Sequence, residues 1–186
     1  AQLGLKTACV EEWKNAAGKG ALGGTCLNVG CIPSKALLES SEQYEHALKG
    51  LDAHGIAVSG ASMDVVRMQA RKDAVVSKMT GGIEYLFRKN KITWLKGHAR
   101  LVGQRGTGGA GWNIEVSGEG APAVVESRYV VIATGSKARH LPGVPVDNEH
   151  ICDNVGALAF SDVPQRLGVI GAGAIGLELG SVWRRL

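Results

Sequence analysis

The stretch Gly23-Gly24-Thr25-Cys26-Leu27-Asn28-Val29-Gly30-Cys31-Ile32-Pro33-Ser34-Lys35 sets two cysteines with four residues between them, a glycine pair in front and Pro-Ser-Lys behind. In an ideal α-helix, residues five apart lie about 8.6 Å from each other at Cα, which is beyond the ~7 Å that a disulfide spans. Cys26 and Cys31 can therefore bond only where the backbone between them leaves regular helical geometry. Asn28 and Gly30 tolerate unusual backbone angles, so a bend is available there. A bridge over so short and bent a segment is expected to be strained, and strained bridges are the reducible ones.

The residues that follow add chemistry. Pro33 suits the first turn of a helix, where its missing N–H costs nothing, and Ala36–Gly50 continues with helical composition. Cys31 then lies at or near a helix N-terminus, where the macrodipole favours a thiolate. Lys35, four residues on, shares a face with that sulfur. The pattern reads as a redox dithiol whose second sulfur is held as a thiolate. Two buried free cysteines, or half of a metal site, would show the same spacing. A metal needs more ligands, and the sequence has no second Cys/His cluster.

This segment, with Ala36-Leu37-Leu38 behind it, resembles the redox-active disulfide segment of the flavoprotein disulfide reductases, and in detail that of the dihydrolipoamide dehydrogenase branch. Glutathione and mercuric reductases carry close variants with Val where Leu27 and Ile32 stand, and the glutathione reductases differ at Ser34.

The length suits one domain or one and a fraction, enough for a sizeable core. The chain has 186 residues, a formal charge of +4 and 27 glycines. That glycine content is about double the ~7% average and points to nucleotide-binding loops and tight turns. The basic residues are dispersed. Their densest cluster, Arg88-Lys89-Asn90-Lys91, closes a helical stretch where cations suit the dipole, so no nucleic-acid partner is expected. No apolar run of ~18 residues exists for a membrane span, and no charged-then-apolar leader precedes the first strand. Four cysteines are too few for a secreted scaffold and fit a reducing compartment.

Along the chain, Ala1–Gly4 reads as a helix end and Lys6–Glu11 as a buried strand ending in acid. A ribose-binding acid follows its glycine fingerprint by about 20 residues, yet only ten residues precede Glu11. If Glu11 has that role, its fingerprint lies upstream of Ala1. An ordinary exposed glutamate beside Glu12 is the alternative. Cys9 reads as a small buried hydrophobe. Met63–Lys91 is a long amphipathic run with Val65, Val66, Met68, Val75, Val76, Met79, Ile83, Leu86 and Phe87 at its apolar positions, and Gly81-Gly82 mark a kink or close packing. Ile92–Val102, Trp112–Val116 and Ala123–Ser127, around the glycine-rich loop 103–111, form a β-meander signature. His98 reads as a hydrogen-bonded, half-buried histidine, and Cys152 as structural. Arg128–Gly135 is a buried strand ending in Thr134-Gly135, and His140–Asn148 a proline-punctuated linker.

Leu167–Leu186 carries a second strong pattern, a buried strand entering Gly171-Ala172-Gly173-Ala174-Ile175-Gly176 and an apolar-faced helix. Such glycines permit the tight turn, pyrophosphate approach and close helix–sheet contact, while the helix N-terminus attracts the anion. The ribose acid belonging to it is expected about 20 residues on, past Leu186.

The resemblance implies an α/β fold of two Rossmann-like, three-layer dinucleotide-binding domains with a β-meander, truncated at both termini: residues 1–146 from an FAD domain lacking its first strand and fingerprint, and 147–186 opening an NAD domain. It implies FAD contacts at Glu11, Gly24, Thr25, Cys26, Lys35, Ala99, Thr134, Gly135 and Ser136, and NAD contacts at Gly171, Gly173, Gly176 and Glu178. Cys26 would be the interchange thiol and Cys31 the thiolate facing the flavin. Lys35 would lie near the flavin's reactive nitrogen, paired with Glu178, and no metal is implied. Electrons would pass from dihydrolipoyl groups through the dithiol and FAD to NAD. The partners would be 2-oxoacid dehydrogenase or glycine-cleavage components, within a homodimer of the cytoplasm or the mitochondrial matrix. The isolated chain is expected to be inactive, because the interface domain and the His-Glu pair of this family would lie past Leu186. A reductase of the glutathione or mercuric type and a non-catalytic truncated domain are the rival readings.

Overall fold

The computed structural model describes residues 1–104, 111–118, 120 and 124–186. Most of the expected 103–111 loop, and the first residue of the expected strand 123–127, therefore lie outside the described residues. The chain forms two compact units, one of residues 1–24 and 79–135, the other of residues 25–78 and 136–186.

In the first unit, strand β1 (Ala8–Glu11) pairs in parallel with β2 (Thr93–Lys96), Ala8 opposite Thr93 and Glu11 opposite Lys96. The run Ile92–Val102, expected as one strand, is divided at Gly97, and the chain resumes as β3 (His98–Gln104). There φ is +155° and a Cβ would fall 2.2 Å from the Ser117 carbonyl oxygen. Only glycine fits so close an approach. β3 then pairs antiparallel with β4 (Trp112–Ser117), and β4 with β5 (Val124–Ser127), giving the meander. Ile114 and Val116 point to its buried face, the alternation that a half-covered sheet requires.

The second unit is helical. Helix α1 (Gly24–Val29) starts at the last residue of the first unit, and α2 (Cys31–Lys49) follows after Gly30. The first part of α3 (Val65–Lys89) lies here, with the short α4 (Asn154–Ala157) and α5 (Ala174–Arg185). Leu37 of α2, Met68 of α3, Leu158, and Leu179, Val182 and Trp183 of α5 form the core. Leu179, Val182 and Trp183 stand at the i, i+3, i+4 spacing of one helix face. The Trp183 indole N–H donates to the Ala157 carbonyl at 3.1 Å, and its ring meets Phe160 at 5.2 Å between centroids. Arg185 reaches back to Glu45 at 3.0 Å, tying α5 to α2.

Several expectations need correction. Arg128–Gly135 and Leu167–Ile170 are neither strands nor buried: Val131 is 87% exposed and Ile170 80%. Their composition favours strand, but a strand exists only through its ladder, and neither segment has one among the described residues. β1 is at best half-buried. Of the apolar positions expected on α3, Met68 is buried whereas Val66 is 72% exposed. Gly81 and Gly82 lie within the continuous helix with open space around them, so they mark no close packing. His98 is hydrogen-bonded to Glu12 at 2.9 Å but exposed. Cys9 and Cys152 are half-buried, and burial raises both thiols above their ordinary range. No helix among the described residues is long and apolar enough to cross a membrane.

Candidate functional site

The dithiol segment owes its shape to one residue. Helix α1 ends at Val29, and Gly30 turns the chain so that α2 begins at Cys31. A Cβ on Gly30 would sit 3.0 Å from Cys26 Cα and from the Thr25 carbonyl oxygen. The backbone folds back at closer range than a side chain there comfortably allows. This break is the departure from helical geometry that the cysteine spacing demands. The first bond of α2 runs from the Ser34 N–H to the Gly30 carbonyl at 3.1 Å, so Pro33 occupies the first turn, where no intrahelical donor is needed.

Both ends of this segment are tied down. The Thr25 hydroxyl donates to the Ser136 carbonyl at 3.1 Å and accepts the Ser136 N–H at 3.0 Å. At the end of α1, the Asn154 side-chain amide donates to the Val29 carbonyl at 2.7 Å, meeting a carbonyl that a helix C-terminus leaves without an intrahelical partner.

Cys26 and Cys31 are exposed free thiols that lie near each other. In the free dithiol the Cys26 side chain as hydrogen-bond partner, then desolvation, then the charge at Cys26 push the Cys31 thiol up, and backbone donation and the Lys35 ammonium offset this only in part, a direction opposite to the one expected from the helix start and Lys35. A thiolate makes the ionisation of a neighbouring thiol harder.

Lys35, one turn into α2, meets Glu178 of α5, Nζ to Oε1 at 2.5 Å. The Lys35 ammonium is raised above the ordinary lysine range, first by its hydrogen bond to the Glu178 carboxylate, which desolvation opposes and the charge of that carboxylate reinforces. Ser34, which is buried, stands 3.3 Å from the other carboxylate oxygen, Oε2, and 3.2 Å from the Cys31 carbonyl. Sequence reasoning quoted Ser34 but gave it no role. Its position three residues after Cys31 on a helix start was the available signal.

At the start of α5, Gly171 takes φ +96° and turns the chain. Gly173 has open space where a Cβ would stand, and a Cβ on Gly176 would meet Val169 at 2.9 Å and the Gly171 carbonyl at 3.1 Å. No side chain caps this helix N-terminus. A tight turn, an open cradle and a close contact at the three fingerprint positions fit a dinucleotide pyrophosphate.

The residues expected around FAD divide between the units. Thr25, Cys26, Lys35 and Ser136 belong to the second, whereas Glu11, Gly24, Ala99, Thr134 and Gly135 belong to the first. Glu11 closes β1, and its carboxylate accepts the Trp13 N–H at 2.9 Å. An acid at the carboxyl end of a parallel strand fits a ribose. Ala99 lies on β3 opposite Val116, and Thr134 and Gly135 are exposed. No group of three or more His, Cys, Asp or Glu among the described residues is placed to hold a metal ion.

Comparison with known proteins agrees with this geometry. The chain is 58% identical to a dihydrolipoyl dehydrogenase of Cupriavidus necator and 49% identical to the mitochondrial dihydrolipoyl dehydrogenase of Pisum sativum, in each case over its whole length. It spans 38% and 35% of the length of those relatives. Its fold matches the flavoprotein disulfide reductase RclA of Escherichia coli with a TM-score of 0.66, at 23% identity, over 99% of this chain and 35% of that one. The fold is thus the α/β architecture of the FAD-dependent disulfide oxidoreductases. The family model for pyridine nucleotide-disulphide oxidoreductases matches residues 1–186, and the chain belongs to that family.

Proposed function

We propose that this chain carries the dithiol and nucleotide-binding parts of a dihydrolipoyl dehydrogenase, which oxidises dihydrolipoyl groups and reduces NAD. The observation that carries the reading is the nearness of Cys26 to Cys31 across the Gly30 break, on a helix whose next turn presents Lys35 to Glu178. The identity to dihydrolipoyl dehydrogenases over the whole chain supports the substrate class.

In this reading Glu11, Gly24, Thr25, Ala99, Thr134, Gly135 and Ser136 hold FAD, and Gly171, Gly173 and Gly176 hold the NAD pyrophosphate. When bound, these cofactors supply the two-electron acceptor and the hydride carrier. The chain's own residues carry out the sulfur chemistry. A dihydrolipoyl thiolate attacks Cys26 in the Cys26–Cys31 disulfide, forming a mixed disulfide and releasing Cys31 as the leaving thiolate. The second dihydrolipoyl sulfur then displaces Cys26. The substrate leaves as a cyclic disulfide, and its two electrons and two protons remain on the cysteine pair and its surroundings. Lys35 lowers the cost of the Cys31 thiolate, and Glu178 holds Lys35 in place.

Residues 1–146 would belong to the FAD domain and 147–186 to the start of the NAD domain. The exposed apolar segments Tyr129–Ile132 and Leu167–Ile170 would complete parallel sheets with strands of the full-length protein. The partners would be lipoyl-bearing components of 2-oxoacid dehydrogenase or glycine-cleavage systems, with the enzyme a homodimer of the bacterial cytoplasm or the mitochondrial matrix.

The test is an assay of the full-length protein with dihydrolipoamide and NAD⁺, beside glutathione disulfide and mercuric ion with reduced pyridine nucleotide. Preferential turnover of dihydrolipoamide is expected, and a preference for glutathione disulfide or mercuric ion would overturn the reading.

A further inference from the structure

We propose that Ser34 is a positioning residue that fixes the Glu178 carboxylate against Lys35. The inference rests on the reading above, in which Lys35 and Glu178 serve the dithiol chemistry.

Ser34 is 6% exposed, the third residue after Cys31 and the one before Lys35. Its hydroxyl lies 3.2 Å from the Cys31 carbonyl and 3.3 Å from Glu178 Oε2. The hydroxyl has one proton to give, and two acceptors stand within reach. The bond to an ionised acceptor is about twice as strong as the neutral one, so the proton goes to Glu178 while that carboxylate is charged. Lys35 holds the other oxygen, Oε1. The carboxylate is thus fixed at both oxygens by neighbouring residues of one helix, which sets its plane. Should Glu178 lose its charge, the same hydroxyl has the Cys31 carbonyl to turn to and stays satisfied in its buried place.

Without the hydroxyl, Glu178 is held from one oxygen by a lysine whose side chain is 57% exposed. Two flexible side chains then share one contact, and an exposed pair of that kind is weakly held. Lys35 would spend less time where it draws down the Cys31 thiol, leaving the upward push from Cys26 less opposed.

The experiment uses the full-length reduced flavoprotein with Ser34→Val and Ser34→Thr, each alone and with Glu178→Ala. Thr and Val have the same shape, so a packing cost at this buried site falls on both, and only Thr keeps the hydroxyl. The readouts are the pH profile of Cys31 alkylation, followed by peptide mass spectrometry, and the split between kcat and KM for NAD⁺. Relative to Ser34→Thr, Ser34→Val is expected to move the alkylation profile upward, with a rate about threefold lower at neutral pH, and to lower kcat more than it raises KM. In the Glu178→Ala background the Thr and Val variants should coincide, since a residue acting through Glu178 has nothing left to act on. Equal profiles for Thr and Val with Glu178 present, or a Thr–Val difference that survives its removal, would overturn the proposal. Alkylation requires no turnover, so failure of the dihydrolipoamide assay in the unaltered enzyme would be seen separately.

Discussion

The ammonium of Lys35 stands 2.5 Å from Oε1 of Glu178, a residue 143 positions later in the chain. The contact joins the helix that starts at Cys31 to the helix that starts behind the Gly171–Gly176 fingerprint. Exposure of the lysine makes its value one of placement rather than of stability. Because the ammonium is raised above its ordinary range, the pair is complete at neutral pH and is lost as pH rises through that raised value. Glu178→Gln should return Lys35 toward ordinary behaviour. Acetylation of Lys35 at mildly alkaline pH, followed by mass spectrometry, should become faster, because more of the amine is then unprotonated. An unchanged rate would mean that the contact does not govern the amine.

A second expectation concerns the thiols. The Cys31 thiol is held up chiefly by its hydrogen bond to Cys26, with desolvation second and the charge at Cys26 third. Replacing Cys26 with Ala removes the first and third and leaves the lowering influence of the backbone and Lys35. Alkylation of Cys31 at pH 7 should accelerate several-fold in Cys26→Ala, since the thiolate is the reacting form. Slower alkylation would place the restraint on Cys31 elsewhere.

At the fingerprint, the cost of a side chain on Gly176 is set by Val169 and the Gly171 carbonyl, 2.9 and 3.1 Å from where its Cβ would stand. Overpacking of this kind costs about 1–3 kcal/mol and would move the start of α5 away from the turn. In the full-length protein, Gly176→Ala should weaken NAD binding by about tenfold in calorimetric titration. Gly173→Ala, with open space at the same atom, should leave this packing intact and lose affinity only through its approach to the pyrophosphate.

Stability should follow burial. Leu37 is fully buried in the core whereas Val66 on α3 is 72% exposed. Leu37→Ala should cost about 2–5 kcal/mol and Val66→Ala no more than about 0.5 kcal/mol, read from urea unfolding followed by circular dichroism. Similar losses at the two positions would show that the Leu37 cluster does not hold the second unit together.

Local chemistry was legible in the residues themselves. Pro33 and Gly50 bracket the helix that follows the dithiol, the alternating run from Trp112 forms a meander strand, and the Gly171–Gly176 spacing marks a turn into a helix. Each depends on neighbours a few residues away and so can be read along the chain, as can the placement of two cysteines at a helix start. The features that emerged only with packing are non-local. Arg128–Gly135 and Leu167–Ile170 have strand composition, yet pairing needs a second chain segment in register, and no such ladder forms among the described residues. The residues around Cys31 in the sequence point to a thiolate, whereas Cys26, which lies near it, pushes its thiol up. Ser34 between Cys31 and Glu178, and Thr25 clasping Ser136, belong to the same class. Hydrogen bonds and charges act over a few ångströms of space whatever the distance along the chain, so their partners became known only when the helices were packed.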